Sequence, residues 1–457
     1  MQMIENRTYD ELCTGDSAEL TRVLTARDAD LFAIASGDVD QAEAGQHAPG
    51  DIGHGMWVGA LISAALGTRL PGPGTVYLDQ RLRFLRPVQV GDAVTVRVRV
   101  LEKQAENRLR LECNCLDGNG ETVVEGEALV VAPTERISRA ARVMPQVEMR
   151  RPGATYDDLV EKTHDLEPIP TAVVHPCDER SLRGALKACE LGLMVPILVG
   201  PRARIEAAAE AGGLDISGLE VVDTPHSHAA ARAAVDLARE GRAEALMKGA
   251  LHTDEVMAEA VDRQTGLRTE RRMSHVFALD VPSHTKPLFV TDAAINIAPD
   301  LATKADIVQN AIDLAHALGQ DCPKVAILSA VETVYPKVPS TIEAAALCKM
   351  ADRRQITGGL LDGPLAFDNA ISPGAAEAKG IDSPVAGQAD ILVVPDLESG
   401  NMIAKQMIYL AGAQAAGIVL GAKVPIMLTS RADDTRARVA SAALALLMRR
   451  FRSGKPR

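Results

Sequence analysis

Four stretches, residues 77–84, 93–102, 108–117 and 122–131, alternate Val or Leu with polar residues, and turn signals such as Asp117-Gly118-Asn119-Gly120 separate them. A period of two marks half-buried strands, and short Gly/Asn breaks predict an antiparallel meander. Ahead of them, residues 55–70 are small and apolar almost all round, which predicts a helix buried on every side. After Val131 the pattern dissolves: residues 133–155 hold Arg136, Arg139, Arg142, Arg150 and Arg151 with Pro145 and Pro152 and show no sustained period.

Further on, short apolar runs at residues 171–174, 196–199, 219–223, 245–247, 287–291, 325–329, 391–395 and 424–429 alternate with Ala-rich amphipathic stretches such as 181–191, 228–239 and 307–318. Strands interleaved with helices predict βαβ units and parallel sheets covered on both faces. A segment of this length usually divides into two lobes with a cleft between them. The expected organisation is an α+β domain over residues 1–133, a linker over 134–155, and a two-lobed α/β domain over 156–457. One helix wrapped by a curled antiparallel sheet is the hot-dog arrangement.

Composition adds limits. Apolar residues make up 47% and charged residues 24% of the 457, enough to bury several cores. The net charge of -12 argues against non-specific nucleic-acid binding, and 3% aromatics leave little for base stacking. There is no leader-like start and no charge-free apolar run of membrane-spanning length, so a cytoplasmic protein without a membrane segment is expected. The seven cysteines are scattered, and Cys113 and Cys115 share one face of a strand, too close in sequence for a disulfide. Reduced thiols and no metal site are expected.

Candidate chemistry gathers where residues 424–428 run into Thr429-Ser430-Arg431-Ala432-Asp433-Asp434 and then an Ala-rich helix. A polar turn between a parallel strand and a helix N-terminus is where α/β sheets meet anionic ligands, although the same residues also suit a plain helix cap.

Several blocks in register resemble the phosphate acetyl/butyryltransferase family: Leu361-Asp362-Gly363-Pro364, Ser383-Pro384-Val385-Ala386-Gly387-Gln388-Ala389-Asp390, Asp396-Leu397-Glu398-Ser399-Gly400-Asn401 and Ser430-Arg431. Leu246-Met247-Lys248-Gly249-Ala250, Gly266-Leu267-Arg268-Thr269 and Thr291-Asp292-Ala293-Ala294-Ile295-Asn296 agree, and the likeness covers nearly all of residues 172–447. It implies a two-lobed fold of the isocitrate/isopropylmalate dehydrogenase type and reversible acyl transfer between coenzyme A and inorganic phosphate. Acyl-CoA, phosphate and acyl phosphate are the implied partners, with no bound cofactor, and a homo-oligomer, dimer or higher, is expected.

By this likeness Ser430 sits beside the thiol or oxyanion and Arg431 holds phosphate. Lys248, Arg268, Gly400 and Asn401 are substrate contacts, the last two lining the same cleft. Where the acetyl-transferring branch places an aspartate as base, this chain has Ala437. Either Asp433 or Asp434 takes the proton, or this branch needs no such base. A metal- and NAD-dependent dehydrogenase of the same architecture is the rival reading.

The N-terminal segment resembles the MaoC-like enoyl-CoA hydratases through Ser36-Gly37-Asp38, His54-Gly55-Met56, Ser63, Leu66-Gly67-Thr68 and Arg83-Phe84-Leu85-Arg86-Pro87-Val88. The family's acid/base pair is Asp and His. Asp38 remains, but Glu43 stands at the histidine's place. Asp38, Glu43 and Ser63 form either a remnant or a rebuilt site, with Gly55 offering its N–H to a thioester oxygen; otherwise the domain only holds acyl-CoA or dimerises.

Overall fold

The computed structural model describes residues 3–37, 51–140, 154–429 and 433–454. The chain divides into two compact units, Met1–Arg151 and Pro152–Arg457.

In the first unit the strands are β1 (Met3–Glu5), β2 (Ser17–Val23), β3 (Val76–Phe84), β4 (Ala93–Gln104), β5 (Arg108–Leu116), β6 (Thr122–Val131) and β7 (Ser138–Ala140). The helices are α1 (Ala26–Ser36) and α2 (Gly55–Thr68). A five-stranded antiparallel sheet runs β2-β4-β5-β6-β3, and β1 pairs with β7 apart from it. The alternation does what the pattern demands: Val94, Val96, Val98 and Val100 on β4 and Leu109, Leu111, Cys113 and Cys115 on β5 all point into the core. Burial pushes both thiols up to about 12, so they stay protonated packing groups.

The expectation that α2 is buried on every side is corrected. Trp57, Val58, Leu61, Ile62, Ala65 and Leu66 face the sheet, while Met56, Ala60, Ser63 and Ala64 are exposed. A single curved sheet covers one side of a helix, and small side chains at the uncovered positions hide that asymmetry from a hydropathy pattern.

In the second unit the strands are β8 (Ile169–Val174), β9 (Met194–Gly200), β10 (Glu220–Asp223), β11 (Ala245–Lys248), β12 (Ser274–Asp280), β13 (Leu288–Thr291), β14 (Lys324–Leu328), β15 (Leu360–Leu365), β16 (Ile391–Val393), β17 (Gln414–Leu420) and β18 (Ile426–Met427). The helices are α3 (Ala154–Glu161), α4 (Glu179–Glu190), α5 (Arg202–Gly212), α6 (Ser227–Arg239), α7 (Thr253–Ala260), α8 (Leu301–Ala317), α9 (Pro339–Asp352), α10 (Phe367–Ile371), α11 (Pro373–Ala378), α12 (Leu397–Leu410) and α13 (Thr435–Arg452). All eleven strands join one sheet in the order β10-β9-β8-β11-β18-β17-β12-β13-β16-β14-β15.

The sheet is mostly parallel, as the βαβ pattern predicts, but its centre is not. β17 runs antiparallel to β18 and β12, and β12 antiparallel to β13. Only a few residues join β12 to β13 and β17 to β18, too few for the crossover a parallel pair needs. Two parallel wings therefore meet at an antiparallel seam.

Candidate active site

At the carboxyl edge of one wing, β8, β11 and β18 lie side by side. Continuing their register puts His175, Gly249 and Thr429 in one row. A Cβ on Gly249 would lie 2.5 Å from the carbonyl oxygen of Val174, so glycine lets the two strands close at this edge. Lys248 is 3% exposed, and its Nζ donates to the Thr429 carbonyl at 3.2 Å. Arg438, from the first turn of α13, is 1% exposed and donates to the Lys248 carbonyl at 3.2 Å and to Thr429 Oγ1 at 2.7 Å. Burial works against its charge, while Asp178, Asp433 and Asp434 favour it. Two buried cations thus clamp Thr429, the residue before Ser430.

Asp434 caps α13, accepting from the Ala437 N–H at 2.9 Å. Asp433 and Asp434 line a cavity of about 260 Å³ together with Arg436 and Ala437. Ser430 and Arg431 lie outside the described residues.

A second cluster forms at the end of β13. Asp292 is 2% exposed and accepts five N–H bonds, from the backbones of His275, Ala294, Ile295 and Asn296 and from Asn296 Nδ2, at 2.5–3.2 Å. Burial pushes its carboxyl up, and those donors oppose the shift. Asn401 Nδ2 donates to the Ala293 carbonyl at 3.3 Å. A Cβ on Gly400 would meet the Asp292 carbonyl oxygen at 2.8 Å, so here glycine admits a neighbouring backbone loop.

These residues are not beside Asp433 and Asp434. Gly400 and Asn401 begin α12, whereas Ile408 and Tyr409 near its other end line the Asp433 cavity. Eight residues of helix separate the two by about 12 Å. Arg268 is exposed and pairs through its backbone with Ala422, ahead of β18, so it lies at the opposite end of that strand from Thr429.

In the first unit, Gly55 opens α2 and lines a cavity of about 270 Å³ with Val58, Phe84, Pro87 and Val124. Ser63 is on the exposed face of α2. Asp38 and Glu43 lie outside the described residues.

A family model described as Phosphate acetyl/butaryl transferase matches residues 226–446, and another described as MaoC like domain matches residues 14–112. Over 292 residues the chain is 64% identical to the phosphate acetyltransferase of Rhizobium meliloti, covering 64% of this chain and 92% of that relative. The chain belongs to the phosphate acetyl/butyryltransferase family. The phosphate butyryltransferase of Clostridium acetobutylicum is 40% identical over 294 residues, 64% of this chain and 98% of the relative. Among solved structures, the branched-chain phosphotransacylase from Enterococcus faecalis V583 is 31% identical with a TM-score of 0.54, covering 61% of this chain and 98% of that one.

In this member of the phosphate acetyl/butyryltransferase family, then, a transferase unit follows a MaoC-like domain. None of these relatives is a dehydrogenase, and the rival reading is not supported. Among the described residues no helix is long and apolar enough to cross a membrane.

Sequence reasoning missed Arg438 and its clamp. The available signal was an Arg at the same helical face as Ser441 and Ala445, where an apolar residue belongs. For His275 the sequence supports a structural role at least as well as a functional one. That ring is 1% exposed, hydrogen-bonds to the backbone of Leu428, packs edge-on to Phe277 at 4.4 Å and leaves Nδ1 without a partner. Burial depresses its pKa to about 4. A histidine neutral in the fold and near 6.5 when unfolded holds its stability above about pH 6.5 and loses it as pH falls towards 4, by up to about 3 kcal/mol. The urea midpoint of the wild type is therefore expected to fall further between pH 7 and 4.5 than that of His275→Asn. Equal falls would show that His275 titrates normally.

Proposed function

We propose that the second unit exchanges an acyl group between coenzyme A and inorganic phosphate. The observation that carries this reading is the 64% identity to a phosphate acetyltransferase over 292 residues, 92% of that relative's length. A phosphate oxygen attacks the thioester carbonyl, the C–O bond forms, the C–S bond breaks, and the thiolate leaves and takes up a proton. Run in reverse, the thiol must lose that proton. Asp433 or Asp434 is the proposed acceptor, Arg431 the phosphate fork and Ser430 a donor to the oxyanion.

Lys248 and Arg438 act as positioning residues, since an anchored Thr429 limits the motion of the turn that follows. The contacts of Gly400 and Asn401 favour a packing role, whereas the exposed Arg268 remains available to a phosphate group. CoA thioester and phosphate serve as substrates, with no further cofactor. The single mixed sheet supports an isocitrate/isopropylmalate dehydrogenase-like architecture in a cytoplasmic protein; residues 134–155 connect the domains 1–133 and 156–457, with β7 pairing back to β1 and α3 starting at Ala154 inside that stretch. Free-thiol release from acetyl-CoA and butyryl-CoA, with and without phosphate, tests the reading. Release independent of phosphate would point to a hydrolase.

For the first unit, the exposed Met56, Val76, Leu78 and Phe84, on α2 and the edge strand β3, support self-association. We expect its hydratase activity to be weak or absent, because Asp38 without a histidine has no partner that titrates near neutrality. Crotonyl-CoA given to the full chain should lose its conjugated absorbance slowly or not at all. Turnover of about ten per second, abolished by Asp38→Asn, would show that Glu43 or His47 has taken over the missing histidine's part.

A further inference from the structure

Arg436 stands where its helix gains nothing from it. It is the second residue of α13, and a cation in the first turn opposes the helix dipole. Its guanidinium lies over the Tyr156 ring of α3, 5.0 Å from the centroid. Among the described residues it makes no hydrogen bond and no ion pair, although Asp280, Asp433 and Asp434 line the same cavity. Asp434 turns to the Ala437 N–H instead. Arg436 is thus the one cation among the residues that line this cavity, and its donors are unspent.

The contact with Tyr156 fixes how those donors are presented. A ring against one face of a guanidinium leaves the N–H groups pointing outward in the plane. A fork already held flat loses little side-chain freedom when an oxyanion arrives, and the bonds it makes are charge-assisted.

We propose that Arg436, seated on Tyr156, binds a phosphate group of a substrate in this cavity. The inference rests on the transferase reading above and adds a binding residue to it. That reading brings phosphate groups from two sources: inorganic or acyl phosphate, and the diphosphate and ribose 3′-phosphate of coenzyme A. The acids sharpen the requirement, because without the guanidinium the lining carries Asp280, Asp433 and Asp434 and would repel either source. Tyr156 is then a positioning residue that acts through Arg436.

The test follows free-thiol release by the full chain with phosphate and acetyl-CoA varied in turn. Arg436→Ala should raise KM for one of the two substrates by about tenfold or more, with kcat within about threefold of wild type. Its urea midpoint should not fall, because alanine suits a helix and relieves the opposed dipole. A rise for phosphate alone identifies the inorganic ion. A rise for acetyl-CoA alone identifies the coenzyme, and acetyl-dephospho-CoA then separates its phosphates: if the 3′-phosphate is the group held, Arg436→Ala changes nothing for that analogue. Tyr156→Leu should raise the same KM about threefold, and Tyr156→Phe, which keeps the ring face, should raise it less. Should Arg436→Ala fail to fold, Arg436→Gln removes the charge and keeps the bulk. KM values for both substrates within about twofold of wild type overturn the proposal, as does an equal rise for both or a fall in kcat alone. No thiol release by the wild type would instead overturn the transferase reading.

Discussion

Arg431→Ala is expected to lower phosphate-dependent thiol release by about a hundred- to a thousandfold while leaving the circular dichroism spectrum unchanged. A guanidinium presents two parallel donors to phosphate, and these charge-assisted bonds strengthen as negative charge gathers on the oxygens in flight. The fold should tolerate the loss, because the turn is held from its Thr429 side by Lys248 and Arg438, neither of which the substitution touches. Arg431→Lys should recover only part of the rate, since an ammonium keeps the charge and loses the fork. The comparison is made at saturating acyl-CoA with phosphate varied. An unchanged rate for Arg431→Ala would remove that residue from the site.

Asp292→Ala is expected to destabilise the second unit by about 3–5 kcal/mol. Five N–H donors converge on this one buried carboxylate. Each donor left dry and unsatisfied costs about 1–3 kcal/mol, and water entering the space of the lost side chain recovers part of the total. Asp292→Asn should be nearly as damaging, because its amide brings a donor where only acceptors are wanted. Urea unfolding followed by circular dichroism gives the number. A loss under about 1 kcal/mol would mean that the loop of residues 292–296 holds itself without the carboxylate.

The strands of the first unit were legible because alternation reports directly which residues face a core: β5 obeys it throughout and β4 from Ala93 to Val100, while β6 breaks it where Val123 and Val124 are both buried. The alternation of apolar runs with Ala-rich helices likewise declared an α/β unit, and the ordered blocks around Lys248, Gly400 and Ser430 declared its family. Such signals are local: each depends on residues within a few positions of one another.

What they do not carry is the identity of the partner across a contact. A short apolar run reads the same whether its neighbour is parallel or antiparallel, so the seam formed by β18, β17, β12 and β13 emerged only with the sheet. Hydropathy likewise cannot say that one side of α2 lacks a cover. The bond from Arg438 to the Lys248 carbonyl spans 190 positions, and Gly400 answers to a loop more than a hundred residues before it. The sequence by itself determined the elements, the family and the residue types available for chemistry. Tertiary structure alone decided which of them meet, because burial, close approach and the field of one charge on another depend on distances that chain folding sets and local pattern does not record.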